Sequence, residues 1–86
     1  MSELRYISDS ARQYAARQDP TLRLYCELAM FGETTQPINS ELEEQLATTP
    51  PHELQIDLTR LYGISFKQAQ RAMEDCWQSL YEEYVA

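Results

Sequence analysis

The sequence predicts an all-α protein, a compact bundle of about five helices that ends in a long C-terminal helix and turns a corner around Gly63. Three observations carry that expectation. Apolar residues recur at intervals of three and four along most of the chain. Period-two alternation with β-branched residues, the mark of a half-buried strand, is missing. Residues suited to starting or stopping helices stand at Asp19-Pro20, Gly32, Pro50-Pro51, Gly63 and Ser65. With 86 residues, the chain has material for one domain, residues 1–86. A domain of that size buries roughly 60 % of the surface its unfolded chain exposes, which leaves a modest core.

The first helix is expected between Ser2 and Gln18, with Leu4, Ile7, Ala11 and Tyr14 on one stripe and Ser2, Ser8 and Ser10 each able to cap it. Asp19-Pro20 separates it from the second. Asp accepts a hydrogen bond from the first-turn amides, and Pro at the first helical position loses no useful donor. From Leu22 to Phe31 the second helix is apolar nearly all round, so it should be a central element covered on several sides, ending at Gly32.

Glu33 to Asn39 reads as a loop. Ser40 and Glu43 have the spacing of a reciprocal capping box, opening a short third helix to about Ala47 anchored by Leu42, Leu46 and Ala47. Glu41, Glu43 and Glu44 crowd its first turn, where the helix dipole favours negative charge, and read as a solvated cap. Thr48-Thr49-Pro50-Pro51 breaks the chain, and a fourth helix from about Pro51 to Tyr62 sets Leu54, Leu58, Leu61 and Tyr62 on one face. Ser65 with Gln68 forms the box that starts the last helix, running to about Tyr84. Its expected core stripe is Phe66, Ala69, Met73, Cys76, Leu80 and Tyr84, widened by Trp77, Tyr81 and Val85. That stripe makes Phe66 a core residue.

The segment Gln55 to Met73 resembles a helix-turn-helix. In such a unit a Gly takes a backbone shape other residues resist, and a short apolar residue after it tucks between the helices. Gly63-Ile64 meets that need, with Leu58, Tyr62, Ile64, Ala69 and Ala72 at the buried positions. Phe66, Lys67, Gln70 and Arg71 would line the outward face, where Lys67 and Arg71 could meet phosphate, Arg71 a guanine edge and Gln70 an adenine edge.

Charge opposes that use. The net charge is −7 with a pI near 4.5. Residues 27–57 hold seven acids and no Lys or Arg, whereas residues 58–73 hold Arg60, Lys67 and Arg71 and no acid. Duplex binding rests on neutralised phosphates and a broad basic footprint. Here the candidate recognition helix runs straight into Glu74 and Asp75.

Catalytic patterns find little support. His52 is the sole histidine, lacks the spacing that would hold a metal, and reads as a surface residue at a helix start. Gly32 and Gly63 cannot form a phosphate-cradling loop. Glu74 with Asp75, and Glu82 with Glu83, diverge by about 100° on a helix rather than converging as an acid and a base. Cys26 and Cys76 match no metal or redox spacing and are expected as buried free thiols. No metal and no cofactor is expected, nor a membrane span or targeting signal, and the location expected is cytoplasmic.

The function expected is therefore binding. The leading expectation is a small acidic non-enzymatic protein acting on a partner protein as adaptor, regulator or inhibitor, with Trp77, Tyr81 and Tyr84 as candidate partner-binding residues. The alternatives are a small transcription regulator binding DNA through residues 58–73, using Lys67, Gln70 and Arg71, and a self-associating structural component, a homo-oligomer paired through the last helix.

Overall fold

The computed structural model describes residues 8–85. Among them are five α-helices and no strand: α1 (Asp9–Arg17), α2 (Pro20–Phe31), α3 (Ser40–Thr48), α4 (Pro51–Tyr62) and α5 (Phe66–Tyr84). The all-α expectation holds, and α5 is the longest helix at 19 residues. It is also the hub, with α1, α4 and α2 packed on it, α3 on α2, and α1 against α4. The Cα radius of gyration is 13.6 Å.

Local chemistry sets most boundaries. Ser8 caps α1, its Oγ accepting from the Ala11 amide at 3.1 Å; Ser10 lies inside the helix, and Ser2 outside the described residues. Asp19 caps α2 through the Leu22 amide at 3.0 Å, with Pro20 opening the helix. Gly32 and Gly63 end α2 and α4 in the left-handed region, at φ 79° and 64°. The Ser65–Gln68 box is complete in both directions, at 3.0 and 2.9 Å.

One core runs through the bundle. Ala16, Leu22, Cys26, Leu54, Leu58, Ile64, Ala69, Ala72, Cys76 and Leu80 form a single buried cluster, with Tyr25, Met30, Tyr62 and Met73 packed against it. Burying a Leu of this kind contributes roughly 1.5–3 kcal/mol. Cys26 and Cys76 are free and buried.

Several expectations are corrected. The cap of α3 is Asn39, whose Oδ1 accepts from the Leu42 amide at 2.7 Å, so Ser40 is already helical and no Ser40–Glu43 box forms. Asn and Ser cap about equally well, so the residue with extended backbone takes the role. Ala47 is exposed, leaving Leu46 as the buried anchor of α3. On α1, Ala11 and Tyr14 are exposed and Ala16 is the buried residue; Leu4 and Ile7 lie outside the described residues. On α4, Leu54 and Leu58 are buried while Leu61 is 71 % exposed.

The largest correction concerns α5. Phe66 is 53 % exposed, and Trp77, Tyr81, Tyr84 and Val85 are also on the surface. The buried line is instead Ala69, Ala72, Cys76 and Leu80. α1, α4 and α2 all pack on α5, and α1 brings only the small Ala16 as a fully buried residue. How near two helix axes come depends on the side chains between them, and small ones permit the shortest separations. A Phe at that seam would hold the helices apart.

Candidate interaction surface

At about 100° per residue, Phe66, Trp77, Tyr81 and Tyr84 fall in a sector roughly 60° wide, centred about a quarter turn from the buried line. The result is an aromatic flank about 27 Å long. Its rings are half-exposed, Trp77 at 42 %, Tyr81 at 46 % and Tyr84 at 49 %. Met73, partly buried, continues the flank inward between Phe66 and Trp77. Tyr84 is steadied by Phe31 of α2, whose ring meets it edge-on with centroids 5.6 Å apart.

The three partner-binding candidates, Trp77, Tyr81 and Tyr84, thus share one flank. Phe66 belongs with them, although its spacing suggests the core. The missed signal is the run of small residues Ala69, Ala72 and Cys76, which marks a different side of α5 as the close-packed one.

Glu74 and Lys67 border this flank on its solvent side, and Arg71 and Glu82 lie further round on the outward face of α5, all exposed. The Gln70 amide donates to Glu74 at 3.4 Å and the Gln78 amide to Glu82 at 3.2 Å.

The corner that precedes it is held from two sides. The guanidinium of Arg12 donates to the Gly63 carbonyl at 3.3 Å, and the buried Gln55 amide donates to the Phe66 carbonyl at 2.9 Å. Leu58, Ile64, Ala69 and Ala72 are buried and Tyr62 is packed against them, while Phe66, Lys67, Gln70 and Arg71 are exposed. The corner therefore has the inside and outside that a helix-turn-helix would have. Gln70 is engaged with an acid, however, and Glu74 follows one turn later.

A second polar feature lies at the other end of α5. Glu27 is 1 % exposed, and accepts from Arg23 Nε at 3.1 Å and from the Thr35 amide and hydroxyl, each at 3.0 Å. Burial pushes this carboxyl up, but the Thr35 hydrogen bonds and the Arg23 guanidinium outweigh it, leaving the group below its ordinary range. Arg23 also reaches Glu83 at 3.3 Å and the Tyr84 hydroxyl at 3.4 Å. Pro20, Leu24, Ile38 and Tyr84 complete a cleft around the pair. Its polar groups are taken up by one another, so its role is to fasten the 33–38 loop and the end of α5 to α2. A charged residue in an otherwise apolar helix, four positions after an Arg, was the available signal for it.

Among the described residues, no cluster of His, Cys, Asp and Glu could hold a metal ion, and no helix is long and apolar enough to cross a membrane. His52 is exposed at the start of α4, away from the core. Comparison with protein-family models, with curated proteins and with solved structures finds no match for the chain.

Proposed function

We propose that the chain is a non-enzymatic interaction module that binds protein through the aromatic flank of α5. The observation that carries this reading is the alignment of Phe66, Trp77, Tyr81 and Tyr84, all half-exposed, along one side of a helix whose opposite requirements are already met by the core. Aromatic rings of this kind supply large contact area at low conformational cost and anchor protein interfaces. Their attachment to a rigid helix, pinned at one end by the Ser65–Gln68 box and at the other by Arg23 and Phe31, favours a preformed surface.

DNA binding through residues 58–73 is the second reading, supported by the exposure of Lys67, Gln70 and Arg71 beyond a Gly63 corner. The acidity of the chain and the Gln70–Glu74 contact weigh against it.

Site-specific photo-cross-linking in the native host separates the two. A photoreactive residue in place of Trp77 or Tyr81 is expected to give protein adducts, and one in place of His52 to give none. Adducts to nucleic acid from positions 67, 70 and 71, with none to protein from 77 and 81, would replace the protein reading with the DNA reading. No adduct from any position would remove both.

A further inference from the structure

We propose that Cys26 and Cys76 are a redox pair: hydrogen peroxide converts the two buried thiols into a disulfide that locks α2 to α5, and a thiol reductant releases it. Their placement carries the inference. The chain holds two cysteines, more than half its length apart, and the fold sets both in one core cluster, on two helices that pack together. There the thiols are direct neighbours, with the Cys26 S–H turned to the Cys76 sulfur. Two cysteines are bridged without backbone movement only when their side chains point toward each other across a short separation, a condition that thiols meeting at a helix seam satisfy.

The seam is also held in register. Arg23 of α2 reaches Glu83 of α5 at 3.3 Å, and the Phe31 ring of α2 meets Tyr84 of α5, so ties on both sides of Cys26 fix the two helices together. On α5 the buried line runs from Ala69 and Ala72 to Cys76. Small residues of this kind permit the closest approach of neighbouring helices.

The two thiols differ in chemistry. The Cys26 S–H, and then the Arg23 and Arg17 guanidinia, favour the Cys76 thiolate and outweigh burial and Glu27, so this thiol lies below its ordinary range. The Cys76 sulfur, burial and Glu27 push Cys26 up. Cys76 is therefore the attacking sulfur. Its thiolate attacks one peroxide oxygen, the O–O bond breaks, and the released hydroxide takes up the thiol's proton as water, leaving a sulfenic acid on Cys76. Cys26 attacks that sulfur. The S–O bond breaks, and the hydroxide leaves with the Cys26 proton as a second water. Because both sulfurs are buried, peroxide enters during brief openings of the bundle, and reclosure brings Cys26 onto the oxidised Cys76.

Hydrogen peroxide added to the reduced full chain, followed by intact-mass measurement, tests this. The expected product is a single chain lighter by about 2 Da, whose non-reduced digest joins the peptide carrying Cys26 to the one carrying Cys76. A bridge closing a loop of more than half the chain should raise Tm by on the order of 10 °C, and dithiothreitol should reverse the rise. Dimedone, which traps sulfenic acids, should give several times more adduct at Cys76 of Cys26→Ala than at Cys26 of Cys76→Ala. Thiols that stay free under peroxide sufficient to oxidise those of the urea-unfolded chain overturn the proposal. A disulfide joining two chains, or a Tm that stays or falls on oxidation, does the same. More dimedone adduct at Cys26 than at Cys76 overturns the order of attack.

Discussion

The Tyr62 hydroxyl donates to Asp19 Oδ2 at 2.5 Å, while Oδ1 of the same carboxylate accepts the Leu22 amide. One side chain thus caps α2 and ties its start to the end of α4, 43 positions away in sequence. Tyr62→Phe should leave the cap intact and lose the tie, lowering stability by about 1 kcal/mol. In a domain of this size that is a fall in Tm of about 4–8 °C, read by thermal denaturation. Burial, and then the Asp19 carboxylate, push the Tyr62 phenol from 10.0 up to about 12. The contribution is therefore complete below pH 10.0 and is lost as pH rises through about 12. The stability of Tyr62→Phe should vary less with pH across that window.

Glu27 should give the opposite dependence. Its folded-state carboxyl sits below the ordinary glutamate range, so its contribution is present above that range and is lost as pH falls through the lowered folded-state value. Glu27→Gln should cost about 1–3 kcal/mol near neutrality and show a flatter stability profile in acid. Urea titrations at a series of pH values from neutral to acid provide the measurement. A parallel profile for the variant and the wild type would show that Glu27 does not carry the acid dependence.

Asn39→Ala should cost about 1 kcal/mol and Ser40→Ala close to nothing, because only Asn39 satisfies an α3 amide with its side chain. Denaturant midpoints of the two variants decide the position of the cap. A larger loss at Ser40 would return the helix start to that residue.

The two glycines should differ. Ala at either takes a left-handed backbone, costing about 1–2 kcal/mol. At Gly63 a Cβ would also meet Arg12 Nη1 at 3.3 Å, whereas at Gly32 it would meet nothing within 4 Å. Gly63→Ala is thus expected to be the more damaging, and the Arg12→Ala background should narrow the difference. Paired unfolding curves in the two backgrounds measure this coupling.

The exposed rings should be nearly silent in stability. Phe66→Ser and Trp77→Ser are expected within about 0.5–1 kcal/mol of the wild type, while Leu58→Ala and Leu80→Ala should lose about 2–5 kcal/mol. Chemical denaturation of the four variants is sufficient, and a core-sized loss at Phe66 would restore it to the interior.

Fold class was legible because caps and breakers act locally. Asp19-Pro20, Gly32, Gly63 and the Ser65–Gln68 box each work within a few residues, so short-range pattern reads them directly. Facing was less legible, because it depends on which neighbour arrives. Phe66 has the spacing of a core residue, yet packing of α1, α4 and α2 selects the side of α5 that carries Ala69, Ala72 and Cys76, and the rings are left outside. Gln55 and Glu27 were missed for a related reason. Their partners, the Phe66 carbonyl and Thr35, are brought to them by chain reversals that local spacing does not describe. The candidate rings Trp77, Tyr81 and Tyr84 were legible as a group because one helix carries all three.

Cys26 on α2 and Cys76 on α5 lie in the same core cluster, at 3 % and 5 % exposure, with no disulfide between them. The protein thereby contains its own clock for opening. A thiol reagent can reach either sulfur only when helices separate, so labelling rates under native conditions measure how often the α2–α5 interface comes apart. If both thiols react at one common rate that tracks the global unfolding equilibrium, the bundle opens as a unit. If Cys26 reacts sooner, α2 and the loop fastened by Glu27 detach first.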